Sequence, residues 1–159
     1  PIVLKTGDKK AREEMSKASY EAGISFNNSS VTLVHGMSRP IGALFHVPHG
    51  MSNAMLLTNC LSFAADKAYD RFAVLARAIG VSDEKDTDEI ASKKFLNALS
   101  ELCKFCNVPT LGEYGIDKDE FVSLIDKMAK DAFDSGSPSN TRKEITIEDM
   151  KNIYLKLWD

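Results

Sequence analysis

Apolar positions recur at three- and four-residue steps along almost the whole chain, the period of helices that pack by one face. Asp8 can cap a helix whose apolar residues are Ala11, Met15, Ala18 and Ala22. After Asp66, the stripe Ala68, Phe72, Leu75 and Ile79 predicts another helix, with Gly80 as its stop. Val81 to Glu89 is polar and acidic, a connector or helix start, and Ile90, Leu96, Leu99, Cys103 and Cys106 then line a further face. Asn107 to Gly115 carries Pro109, Gly112 and Gly115, which is loop chemistry. Asp117 with Glu120 opens a helix bearing Phe121, Leu124, Ile125, Met128 and Ala132. Asp134 to Glu144 reads as a surface loop. Thr146 with Asp149 then opens a helix whose face is Met150, Ile153, Tyr154, Leu157 and Trp158. Val31 to Val34 is the one short β-branched run, and no internal repeat is visible. The pattern predicts an all-α helical bundle forming one domain over residues 1–159.

Composition narrows the picture. A length of 159 residues suits one domain with a core of its own. Lys plus Arg is 20 against 23 for Asp plus Glu, a net charge of −3, which argues against a nucleic-acid partner. The longest apolar run, Phe72 to Ala76, is far too short to span a membrane. No signal peptide is evident, and a chain that opens on Pro1 is expected to be a fragment or a processed product. Three cysteines cannot all pair, which points to a reduced, cytoplasmic setting.

The segment from Ile24 to Asp66 is different in kind. Before Asp66 its only formal charge is Arg39, and it contains all three histidines, His35, His46 and His49. Such poverty of charge predicts the buried centre of the domain. His35 ends an apolar helical run, and Pro40 and Gly42 are expected to break the helix and turn the chain. His49, between Pro48 and Gly50, stands at the entrance of the next helix, with Met51, Ala54, Met55, Leu57 and Leu61. Two imidazoles so placed can converge on one divalent cation, or can simply be hydrogen-bonded core residues. Spacing alone does not separate the two readings. His46 reads as a hydrogen-bonded structural residue. Arg39, a lone guanidinium, needs a carboxylate, a subunit interface or a bound anion. Cys103 and Cys106 have C-x-x-C spacing, but without a second pair or a preceding strand they read, like Cys60, as small core residues.

The stretches Ala22-Gly23-Ile24-Ser25-Phe26-Asn27-Asn28, Val34-His35-Gly36-Met37, Pro48-His49-Gly50 and Asn53-Ala54 resemble the signature of the iron-containing (group III) alcohol dehydrogenases. In softer form the resemblance reaches the late segment Asp149-Met150-Lys151-Asn152-Ile153-Tyr154, so it covers nearly the whole chain. It implies the helical C-terminal domain of the dehydroquinate synthase-like fold. It also implies that His35 and His49 ligate a divalent iron, or zinc. The family's other two ligands, an aspartate and a histidine, belong to an upstream segment that these residues do not include. So does its nucleotide-binding domain, through which NAD or NADP would act, and no glycine-rich strand-turn-helix occurs here.

Many family members place a further histidine four residues after the first ligand, beside the substrate. Arg39 stands there in this chain, and it suits an acidic substrate or a cofactor phosphate better than proton transfer. The resemblance implies a small alcohol or carbonyl substrate, with Phe26, Leu44 and Phe45 as pocket walls. It further implies that the chain alone is inactive and self-associates through the face the missing half would cover. The competing expectation is a non-enzymatic helical interaction or assembly module whose histidines are structural.

Overall fold

The computed structural model describes residues 7–158. They form eight α-helices, α1 (Lys9–Ser29), α2 (Leu33–Phe45), α3 (His49–Ala64), α4 (Tyr69–Ala78), α5 (Asp88–Phe105), α6 (Leu111–Tyr114), α7 (Lys118–Asp134) and α8 (Ile147–Leu155). Short 3-10 turns follow α3, α7 and α8 at Ala65–Lys67, Ser137–Asn140 and Lys156–Trp158. Among the described residues there is no strand, so the all-α expectation holds. No helix there is long and apolar enough to cross a membrane.

The chain divides into two compact units, one ending at Val31 and the other beginning at Thr32. The first unit is α1. The Asp8 carboxylate accepts from the backbone N–H of Lys10 and Ala11 at 2.8 and 3.3 Å, as a cap should. The helix does not stop near Ala22 but runs on through Gly23, and Asn28 donates to the Ile24 carbonyl at 2.8 Å in its last turn. Glycine inside a helix costs only about 1 kcal/mol. Its residues are not buried. Ile24 and Phe26 are 48% and 57% exposed, so the expectation that the charge-poor segment is core fails over this first part.

The second unit holds the core. Met37 and Ile41 of α2, Leu56 of α3, Phe121 and Met128 of α7, and Met150 and Tyr154 of α8 are fully enclosed. The stripes predicted for α7 and α8 therefore meet the charge-poor α2–α3 pair. Phe121 sits between aromatic rings, edge-on to Tyr154 and Trp158 at 5.8 and 5.5 Å and tilted against Phe45 at 5.3 Å. The Tyr154 hydroxyl donates to the Met37 carbonyl at 2.7 Å, and burial pushes its pKa up. The predicted caps are present. Asp117 accepts from the Glu120 N–H at 2.8 Å, and Thr146 and Asp149 form a reciprocal capping box. Asn107–Gly115 contains more than loop, because Thr110 and Glu113 cap the single turn α6.

A smaller cluster joins α4 to α5. Ala73, Ala76 and Ala91 are fully buried and let the two helices approach, with Phe72 stacked on Phe95 at 5.4 Å. Gly80, at a φ of +75°, ends this turn of chain as predicted. The connector is tied by Arg77, which donates to the Asp86 carbonyl and the Asp88 carboxylate. Lys94 and Ser82 hold the Asp86 carboxyl down to about 2.

Asp134–Glu144 is not wholly a surface loop. Ser137 and Pro138 are buried against α2, because Gly36 leaves room for the proline ring. A Cβ on Gly36 would stand 2.8 Å from Cγ of Pro138. A proline ring cannot swing aside, so Gly36→Ala is expected to cost about 1–3 kcal/mol by overpacking. Chemical denaturation of the variant measures this, and an unchanged midpoint would contradict the packing described.

Candidate metal centre

Pro40 does not break α2. The helix continues to Phe45 although Pro40 has no N–H to give the Gly36 carbonyl. Buried Met37 and Ile41 pin the helix on both sides of it. The turn comes at His46 instead, whose φ of 54° is left-handed. Histidine tolerates that region better than most residues. His46 itself is exposed, and its side chain makes no hydrogen bond among the described residues, so its contribution is its backbone rather than the bonded ring expected. The β-branched run before α2 forms no strand. Thr32 is extended, and Leu33 and Val34 already belong to the helix.

The connection then doubles back. A Cβ on Gly42 would lie 3.2 Å from the Val47 carbonyl, so the backbone after His46 passes directly over α2. Val47 is buried and Pro48 is extended at a ψ of 140°. The return carries His49, the first residue of α3, to His35 in the first turn of α2. The ring centroids are 5.3 Å apart and the planes are tilted by 51°. The expected pairing of the two imidazoles is therefore present. It arises from two helix starts and a return over Gly42, not from a helix end meeting a helix start.

The surroundings bear on the two histidines differently. His35 is half-buried. Burial first, then the proximity of His49 and of Arg39, lowers its pKa, which favours the neutral imidazole that can donate a lone pair. Ser38 and Ser52 donate to the backbone carbonyls of His35 and His49 at 3.2 and 3.1 Å. Asn53 lies one turn beyond His49, and its amide nitrogen is 3.0 Å from His49 Nε2. The Asn53 carbonyl oxygen is buried without a hydrogen-bond partner among the described residues. Sequence reasoning assigned Asn53 no role, although its i,i+4 spacing from His49 was a signal to do so.

Arg39 lies one turn past His35, exposed, with Nη1 donating to Ser137 Oγ at 3.0 Å. Ser137, distant in sequence and inside the expected loop, carried no signal. Leu44 and Phe45 pack against the main core, so Phe45 spends its ring on Phe121 rather than on an open wall, and Phe26 belongs to the first unit. Of the cysteines, Cys60 is buried and burial pushes its thiol up. Cys103 is half-buried and accepts from Thr58 at 3.9 Å, while Cys106 is exposed at the end of α5, against the expectation of a core residue. Among the described residues no group of three or more His, Cys, Asp or Glu side chains gathers around one point.

Comparison with known proteins agrees with this architecture. The model of the Fe-containing alcohol dehydrogenase family, C-terminal, matches residues 2–158. Lactaldehyde reductase of Escherichia coli is 34% identical over 153 residues, which are 96% of this chain and 39% of that protein. NADPH-dependent butanol dehydrogenase of Clostridium saccharobutylicum is 33% identical over 149 residues, 93% of this chain and 38% of that protein. The crystal structure of 1,3-propanediol oxidoreductase superposes with a TM-score of 0.89 at 25% identity, covering 98% of this chain and 40% of that one. This chain thus spans about two fifths of the length of the relatives it matches. It belongs to the Fe-containing alcohol dehydrogenase family and corresponds to that family's C-terminal part.

Proposed function

We propose that the chain is the metal-binding C-terminal domain of an NAD(P)-dependent alcohol dehydrogenase, with His35 and His49 as two ligands of a divalent iron or zinc. The observation that carries this reading is the 5.3 Å separation of the two rings. A metal–nitrogen bond of about 2.1 Å and a ring radius of about 1.2 Å put two imidazole centroids about 5.4 Å apart at a tetrahedral angle. The donor set fits a borderline-soft divalent cation. It supplies two nitrogens, so the remaining ligands come from elsewhere in the enzyme, together with the nucleotide site.

The metal, when bound, supplies Lewis acidity toward an alcohol or carbonyl oxygen. The work of this chain is to hold His35 neutral and His49 in place from two rigid helix starts. The Asn53 amide fixes the His49 ring and must yield if Nε2 is the ligating nitrogen. Substrates are small alcohols and their carbonyl partners, in keeping with relatives named for lactaldehyde and butanol. The enzyme is cytoplasmic and self-associates.

Calorimetric titration of Zn²⁺ into the 159-residue chain tests the reading. Weak binding is expected, lost in His35→Ala and in His49→Ala. Gly42→Ala crowds the Val47 carbonyl, so the returning backbone must shift, and the variant is expected to weaken binding about tenfold, as loss of a supporting group does. The chain alone is expected to form no NADH from alcohols. Zn²⁺ binding that survives both histidine substitutions would refute the ligand assignment.

A further inference from the structure

Arg39 is the one formal charge between Ile24 and Ala65, and it stands on the same helix face as His35. Arg77 and Arg142 each reach a carboxylate, at 3.1 and 2.6 Å. Among the described residues Arg39 forms no ion pair, unlike Arg77 and Arg142. What holds it is neutral. Its Nη1 donates to the hydroxyl of Ser137, a buried residue whose own N–H is held by Ser135 Oγ at 3.3 Å. Pro138, sealed into the gap at Gly36, fixes that support against α2. Among the described residues the guanidinium is braced but not neutralised.

An unbalanced positive charge one turn from a pair of imidazoles that share a cation works against that cation. An anion brought by the substrate would offset it. A guanidinium offers a planar fork that carboxylates fill with two hydrogen bonds. We infer that Arg39 binds the carboxylate of the substrate, so that the enzyme acts on short hydroxy acids and the corresponding aldehyde acids. The inference rests on the dehydrogenase reading given above. Side chains four residues apart on a helix share one face, so Arg39 stands on the same side of α2 as His35, and a short hydroxy acid carries its hydroxyl and its carboxylate at opposite ends. In the reaction the carbinol carbon is oxidised to the aldehyde. Its hydride, with the electron pair, reduces NAD(P)⁺, the hydroxyl proton goes to solvent, and the carboxylate is unchanged.

The test compares 4-hydroxybutyrate with 1-butanol in the intact metal-loaded enzyme that carries this domain and its nucleotide-binding half. The native enzyme is expected to favour the hydroxy acid in kcat/KM. Arg39→Leu is expected to cut that preference about 10- to 100-fold, through KM for the hydroxy acid, and Arg39→Lys to retain part of it. Turnover of both substrates with no native preference, or with a preference that Arg39→Leu leaves unchanged, overturns the inference and leaves the dehydrogenase reading standing. A rise in KM for NADP in Arg39→Leu, without a change in preference, also overturns it, because the anion is then the cofactor's phosphate. Turnover of neither substrate refutes the dehydrogenase reading, and the inference falls with it.

Discussion

Alanine at His35 or at His49 is expected to remove bound metal and alcohol turnover together from the intact enzyme, each by more than about 100-fold. Groups that merely support a ligand are worth about 10–100-fold in affinity or activity, and loss of a ligand should exceed that. With the rings 5.3 Å apart, either deletion leaves one imidazole of the pair, so the two variants should look alike. Metal content by elemental analysis and initial rates on one preparation make the comparison. Cys103→Ala is the control. The residue is half-buried and outside the pair, so it should lose some stability while keeping its metal. A His49→Ala enzyme with full metal content and full rate would end the assignment.

The largest effect on stability is expected at Phe121. Its ring is fully buried and meets three other aromatic rings, from α2, α8 and the final 3-10 turn. Phe121→Ala removes those contacts and leaves a cavity that helices cannot easily close, a loss of about 3–5 kcal/mol. Urea unfolding followed by far-UV circular dichroism reads this directly. A loss below about 1 kcal/mol would mean that the aromatic cluster is not the centre of the core.

Helix type was the most legible property of the sequence, because caps and stripes act locally. Asp117 with Glu120 and Thr146 with Asp149 announce their helices in four residues, and both form as expected. Pro40 misled because a lost hydrogen bond inside a helix is a local penalty, whereas the burial of Met37 and Ile41 that outweighs it is tertiary. The same limit hid Pro138, whose loop composition says nothing of the space at Gly36. It also allowed Ile24 and Phe26 to look like core. At the site, the two histidines were found through a motif. How they meet was not legible, because it depends on a left-handed His46 and a backbone return over Gly42. Ser137 could not be read at all, since 98 residues separate it from the Arg39 it holds.

The bond from the Tyr154 hydroxyl to the Met37 carbonyl joins positions 117 residues apart. A ribosome makes the chain from its N-terminus, so the segment bearing both histidines emerges long before the residue that locks α2 from behind. Contacts of such sequence separation form late, after the entropy of closing the intervening loop has been met. Until then the apolar faces of α2 and α3 lack the helices that cover them, and the nascent domain is at its most vulnerable to aggregation and to chaperone capture. A chain cut short before Tyr154 would therefore lack the side chain that anchors α2 behind its histidines.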